Sequence, residues 1–209
     1  MNEQEGVIQY NLSHRFSQAV DYPELLSLMS WHQRMHAHGL IGQDGARYGG
    51  LAYGNMSHRL ADNTFLISGT QTGGLARLTA EDYAHIEHCD IANNRVSSHG
   101  PIKPSSECMS HAAVYSASPA TMAVIHVHSP DIWQQHERLG LACTPAEVGY
   151  GTPAMALAIA ASIQGLQHPD RGCITMLGHE DGIICFADNM DSAGQYLLAR
   201  YEQARSFVS

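Results

Sequence analysis

Lysine is almost absent from this 209-residue chain: Lys103 stands alone, and the other ten of its eleven basic residues are arginines. A mechanism built on a lysine Schiff base would have no other residue to use. Basic charge as a whole is scarce, with 11 Lys and Arg against 20 Asp and Glu and a net charge of −9, and no basic patch is visible. Nucleic acid is therefore not an expected partner. An anionic ligand would have to be held locally, by backbone N–H groups, hydroxyls or one arginine, against a repulsive overall field. No apolar run approaches the roughly 18–20 residues a membrane span needs. The opening MNEQEGVIQY also lacks the basic and apolar blocks of a secretory signal. Neither GxGxxG nor GxxxxGK occurs, so no dinucleotide or Walker fingerprint is present. Cysteines 89, 108, 143, 173 and 185 are scattered without a CxxC, and an odd number cannot all pair internally. A reduced, cytoplasmic setting is the expectation.

What remains is an ordinary globular composition, 44% hydrophobic and 15% charged, without repeats, low-complexity stretches or a linker. One domain over residues 1–209 is expected. GVIQYNL (6–12) reads as an opening strand, and residues 22–40 as a helix with Pro23 in its first turn and Gly39 at its stop. TFLISGT (64–70) reads as a strand. Residues 78–91 read as a helix opened by Thr79, with Asp82 three positions on. A helix beginning at the serines is expected over 104–118, then a strand over 121–128 and an alanine-rich helix over 152–166. Strands over 173–179 and 182–188 and a closing helix over 191–205 complete an α/β layered pattern.

Three clusters could carry chemistry. AVIHVHSP (123–130) places His126 and His128 on one face of a strand, with Val127 pointing to the other. By itself that pattern fits either the polar face of a half-exposed strand or two ligands of a metal ion. A catalytic zinc usually takes three protein ligands and keeps a position open, and His179, in the glycine-flanked MLGHEDG, is the best third candidate. KPSSE (103–107) offers Ser105 and Ser106 with unpaired helix-start N–H groups as an anion pocket. A capping box opened by Ser105 would put its acid at position 108, which is a cysteine, so Glu107 is not needed for that cap. The loops YGNMSHR (53–59) and SGTQTGG (68–74) are rich in residues that hold an oxyanion without net charge.

The order of these pieces is more specific than any one of them. GN-x-S-x-R, a Thr-Gly loop with Leu-Thr-x-x-Asp, PSSE with a histidine four residues on, HxHSP and a late Gly-His together resemble the class II (zinc-dependent) aldolase/adducin family, on its fuculose-phosphate aldolase-like side. The likeness runs from about residue 25 to 205. It implies a three-layer α/β/α fold with a mixed, largely antiparallel central sheet, assembled as a homotetramer with sites at subunit boundaries. It implies that His126, His128 and His179 hold Zn2+ or another divalent metal, and that Glu107 is the general acid/base. Asn55, Thr72, Gly73, Ser105 and Ser106 would hold a substrate phosphate, and Tyr150 of EVGYGTP would match the family's subunit-bridging catalytic tyrosine. The implied activity is that of a carbon–carbon lyase, cleaving a small phosphorylated ketose through a zinc-stabilised enediolate.

Glutamate at 107 looks like the aldolase branch and its dehydratase relatives, whereas ribulose-phosphate 4-epimerases carry aspartate there. An epimerase, a dehydratase and a non-catalytic adducin-head-like assembly module are the competing readings. Known modules of that last kind have lost metal ligands. The chain departs from the family pattern in three places. Its loop reads Ser-Gly-Thr-Gln-Thr-Gly where Thr-Pro-Ser/Thr-Gly is commoner. Glu180 and Asp181 come between the late histidine and its glycine, either as partners that orient His179 or as part of a different substrate recognition. The spacing of Tyr150 from HxH is also unusual. His111, four residues after Glu107, could be a fourth ligand or pack beneath the site, and packing is the expectation.

Overall fold

A nine-stranded mixed sheet divides the molecule into two cores. The computed structural model describes residues 7–61 and 64–207. In chain order the elements are β1 (Asn11–Phe16), α1 (Glu24–Ala37), β2 (Gly42–Gln43), β3 (Ala52–Tyr53), β4 (Asn55–Arg59), β5 (Phe65–Ser68), β6 (Tyr83–Asp90) and β7 (Arg95–Gly100). There follow α2 (Cys108–Ala117), β8 (Ala123–His128), α3 (Pro130–Gln134), β9 (Ala142–Thr144), α4 (Pro153–Gln164), β10 (Gly172–Met176), β11 (Gly182–Ala187) and α5 (Met190–Ser206). The large sheet runs β1-β7-β6-β5-β4-β8-β11-β10-β9, and β2 and β3 form a separate two-stranded ribbon. Every pairing in the large sheet is antiparallel except the two at its edges, β1 with β7 and β10 with β9. This is the expected mixed, largely antiparallel sheet.

On one face, α1 buries Leu25, Leu28, Trp31 and Met35 at helical spacing beside Leu197 of α5 and Ile125, Val127 and Ile183 of the sheet. On the other, α2 and α4 cover Val124, Ile174, Ile184 and Phe186. Full burial of each such side chain contributes about 1.5–3 kcal/mol. The helix signals behave as expected at α1, where Gly39 takes a left-handed φ of 68° after the last turn. They do so again at α4 and α5, where Thr152 and Asn189 accept from the N–H groups of Met155 and Ser192.

Three segments differ from the sequence reading. Residues 78–91 are not a helix. Thr79 and Asp82 do form a capping box, but it closes only the short turn Ala80–Asp82, and residues 83–90 become β6. There Tyr83, Ala84 and Ile86 are buried between β5 and β7, so pairing outweighs the local helix start. The helix expected at the serines begins instead at Cys108, because Ser105 N–H is bonded to Ser68 C=O at 3.2 Å and Thr70 N–H to Lys103 C=O at 2.9 Å. The opening strand runs over Asn11–Phe16 and so overlaps the expected 6–12 only at its last two residues, and Gly6 of that stretch lies outside the described residues.

Cys173 and Cys185 face each other in register across β10 and β11 with Cα atoms 4.1 Å apart, joined as a disulfide, which the scattered spacing did not suggest. Among the described residues no helix is long and apolar enough to cross a membrane.

Candidate metal centre and anion pocket

β8 lies mid-sheet between β4 and β11, and its alternation separates its side chains as strand geometry requires. Ile125 and Val127 enter the α1/α5 core, whereas His126 and His128 turn to the α2/α4 face, both fully buried. His179 reaches them from the tight turn between β10 and β11, closed by its own N–H to Met176 C=O and by Gly182 N–H to its carbonyl, each 2.9 Å. Gly182 pairs directly with His128, which sets the two histidines side by side. The ring centroids of the three imidazoles are 4.7–5.1 Å apart, and one nitrogen from each lies within 4.8 Å of the others. Two nitrogens bound to one zinc at about 2.0–2.1 Å can be no more than about 4.2 Å apart. A modest inward shift of the rings would therefore suffice.

Protonation also fits a metal centre. The Nδ1 of His126 is 3.1 Å from the Ile183 carbonyl, which can only accept, so Nδ1 carries the proton and Nε2 the lone pair. Among the described residues that Nε2 is buried without a hydrogen-bond partner, the condition of a ligand atom available to an ion. Burial first, and then the neighbouring His179, hold the pKa values of His126 and His128 well below the usual histidine value. Both rings are thus neutral at physiological pH, as metal ligation requires. His111 stands outside the three-histidine group: it is sealed beneath, with Nδ1 2.6 Å from Ser57 Oγ.

Gly178 explains how Tyr150 comes to lie here. A Cβ at Gly178 would collide with the Val148 carbonyl, so only glycine lets the His179 turn approach segment 146–148 this closely. Tyr150 then stacks on His179 of its own chain at 4.5 Å between centroids and is 2% exposed.

The anion-pocket candidates gather at the same end of the sheet, on the β4/β5 side of β8. Asn55 sits opposite His126 in register, with its Oδ1 buried and, among the described residues, without a hydrogen-bond partner. Ser68, which the sequence reading did not single out, is the joint. Its hydroxyl accepts Met56 N–H at 3.1 Å and its carbonyl accepts Ser105 N–H at 3.2 Å, tying β4, β5 and the PSSE segment together. Tyr10 donates its hydroxyl to Ser105 C=O at 2.7 Å from below. Ser105, Ser106 and Glu107 are all buried, and Glu107 Oε2 accepts the Ser110 hydroxyl at 2.6 Å. Thr72 is buried in a turn that its own hydroxyl closes on Gly69 C=O at 2.8 Å. Gly73 packs so tightly on Tyr53 C=O that no side chain would fit. Lys103, by contrast, is exposed, unlike the desolvated lysines that form Schiff bases.

Two residues beside the histidines also went unnoticed in the sequence. Tyr48 sets its ring on His128 at 4.5 Å, and its hydroxyl donates to Asp181 Oδ2 at 2.7 Å. Arg47 reaches the same oxygen at 3.2 Å. Asp181 thus serves the loop before β3, while Glu180 is exposed. The only sequence sign of this arrangement is the glycine-rich run DGARYGGLAYG.

An α/β/α sandwich that gathers three buried histidines, a buried carboxyl and several buried hydroxyls at one end of its sheet has the makings of a metal-site protein. The chain belongs to the class II aldolase and adducin N-terminal domain family, whose model matches residues 36–206. Over 76 residues it is 37% identical to the 3-oxo-tetronate 4-phosphate decarboxylase of Haemophilus influenzae, a match spanning 36% of this chain and only 33% of that relative. In fold it is similar to the L-fuculose-1-phosphate aldolase of Thermus thermophilus, with a TM-score of 0.63 at 19% identity over 88% of this chain and 91% of the other. It is also similar to a sugar-phosphate aldolase from Thermotoga maritima, with a TM-score of 0.64 at 13% identity, covering 86% and 91% of the two chains. At these identities the two structural likenesses concern the fold alone.

Proposed function

We propose that this chain is a metal-dependent lyase of the aldolase type acting on a small phosphorylated ketose. The observation that carries this is the group of three buried imidazoles of His126, His128 and His179 at the same sheet end as Glu107. Zinc or another divalent ion held by these three would supply Lewis acidity to a carbonyl and its adjacent hydroxyl. Glu107 takes the role of general acid/base, moving the proton at the neighbouring carbon or oxygen, with its carboxyl orientation fixed by the Ser110 hydroxyl. Asn55, Thr72, Gly73, Ser105 and Ser106 bind the phosphate through neutral donors, which lets a chain of net charge −9 accept an anion. Tyr150, packed on His179, contributes a phenol to the same site. The protein works as a cytoplasmic homotetramer, with neither nucleic acid nor membrane as partner.

A second reading, decarboxylation of a phosphorylated 3-oxo acid, is favoured by the identity to the decarboxylase. Product analysis separates the two, since cleavage releases an aldehyde and decarboxylation releases carbon dioxide. Glu107→Gln keeps the side chain's size and removes its basicity. Turnover is expected to fall about 100-fold or more with metal content unchanged. Loss of activity in Lys103→Met with full activity in Glu107→Gln would overturn both readings.

A further inference from the structure

β6 carries one residue too many for its ladder with β7. His85 pairs with His99 and Ile86 with Ser98, but the next pairs are His88 with Ser97 and Cys89 with Val96, so Glu87 is the extra residue of a β-bulge. An unbroken pleat would put Cys89 on the side of His85, opposite Ala84 and Ile86. The bulge turns it over. Cys89 instead packs with Ala84, Ile86 and Val96 in the core beneath α2 and α4, which also holds Cys108.

Cys108 is the first residue of α2 and is fully buried. Its thiol is hydrogen-bonded to that of Cys89, and burial first, then this neighbour, push it well above the usual cysteine value. Cys108 is thus a sealed, protonated thiol. Cys89 is half-buried and lines an open cavity of about 510 Å3. Ala112, one turn along α2 from Cys108, lines the same cavity. One sulfur of the pair is therefore reached from solvent, and the other stands behind it.

We propose that Cys89 and Cys108 are a redox-modification site, closed to a disulfide by hydrogen peroxide entering through the cavity. The Cys89 sulfur attacks one peroxide oxygen and the O–O bond breaks. The departing hydroxide leaves as water with the Cys89 proton, and Cys89 becomes a sulfenic acid. The Cys108 sulfur then attacks the Cys89 sulfur, whose S–O bond breaks, and hydroxide leaves with the Cys108 proton as a second water. Two thiols are oxidised and one peroxide is reduced. Two external thiols reverse the change.

A disulfide brings its sulfurs to about 2.05 Å, closer than any hydrogen-bonded pair of thiols, and so draws Cys108 toward β6. Glu107 directly precedes Cys108, and the Ser110 hydroxyl that orients its carboxyl stands in the same turn. Oxidation therefore displaces Glu107 and loosens the neighbouring bond from Ser105 N–H to Ser68 C=O. That this lowers turnover rests on the lyase reading, whereas the bond itself does not.

Peptide mapping of the intact zinc-loaded protein tests the site. After peroxide, the protein is alkylated and digested with trypsin without reductant. Cleavage after Arg95 puts Cys89 and Cys108 on separate peptides, while Cys173 and Cys185 share one. A linked pair of peptides carrying Cys89 and Cys108 is expected, and dithiothreitol should separate it. Hydrogen exchange at the Ser105 N–H should quicken about tenfold or more in the linked protein. Cys89→Ser should leave Cys108 a free thiol, and Cys108→Ala should leave Cys89 as a sulfenic acid that dimedone traps. Cys89 driven to a sulfinic acid beside a free Cys108, or linked to Cys143 instead, would overturn the proposal. Unchanged exchange in the linked protein would overturn its action on Glu107. A link that quickens exchange in a protein cleaving no ketose phosphate would keep the site and discard the lyase reading.

Discussion

His111 offers a test of the buried polar layer beneath the site. Its ring is fully buried, and burial pushes its pKa down from 6.5 to about 3. The folded protein therefore keeps this imidazole neutral where the unfolded chain would protonate it. Well above about pH 6.5 neither state binds the proton and the group has no effect on the balance. Below that, the unfolded state gains a proton that the folded state refuses, and stability falls by about 1.4 kcal/mol per pH unit. The loss from this one group is about 1.4 kcal/mol at pH 5.5 and about 2 kcal/mol at pH 5. His111→Leu removes the titration at similar volume, and Ser57 keeps its 2.7 Å bond to Tyr115. At pH 7.5 the variant should be less stable by about 1 kcal/mol, for the lost hydrogen bond. By pH 5.5 that deficit should be cancelled, and by pH 5 reversed. Urea unfolding of both proteins in EDTA across pH 5–7.5 measures this. His126 and His128, also held low chiefly by burial, are present in both proteins. Parallel loss of stability in the two proteins would refute the reasoning.

Alanine at His126, His128 or His179 should strip most of the metal, read by elemental analysis, with a cooperative unfolding transition retained; full occupancy in His179→Ala would remove that residue from the ligand set. Gly194→Ala should cost about 1–3 kcal/mol in urea unfolding, because its Cβ would enter the Trp31 ring where α5 crosses α1, and an unchanged midpoint would mean the two helices separate freely. Size-exclusion with light scattering at micromolar concentration should return a tetramer, and a monodisperse monomer would count against sites shared between subunits.

Two of the three candidate ligands were legible because they stand on regular structure. His126 and His128 are two residues apart on a strand, so their common face follows from the pleat alone, and Val127 enters the opposite core as that period demands. The helices α1, α4 and α5 were legible from apolar spacing and their end residues. β6 was not, because Thr79 and Asp82 make the same capping box whether a helix or one turn follows. What decides is pairing with β7 and with β5, which joins Tyr83 to Ser68 and Ile86 to Phe65 across the intervening loop. Edge strands β1 and β9 suffered likewise, each defined by a parallel partner far along the chain.

The residues packed beside the histidines were hidden for a different reason. Arg47 and Tyr48 meet Asp181 across 134 and 133 positions, through turns whose left-handed residues are an arginine's neighbour and an aspartate rather than glycines. No local pattern announces a tyrosine at φ 50°. Yet two oddities of the sequence, the glycine-rich run before GN and the Glu-Asp pair after the late histidine, turn out to be halves of one contact. The pair departs from the pattern of the family, and the run supplies the residues that explain it. Residues two apart on one strand show their common face in the sequence, while a contact between two loops is read only once the loops have met.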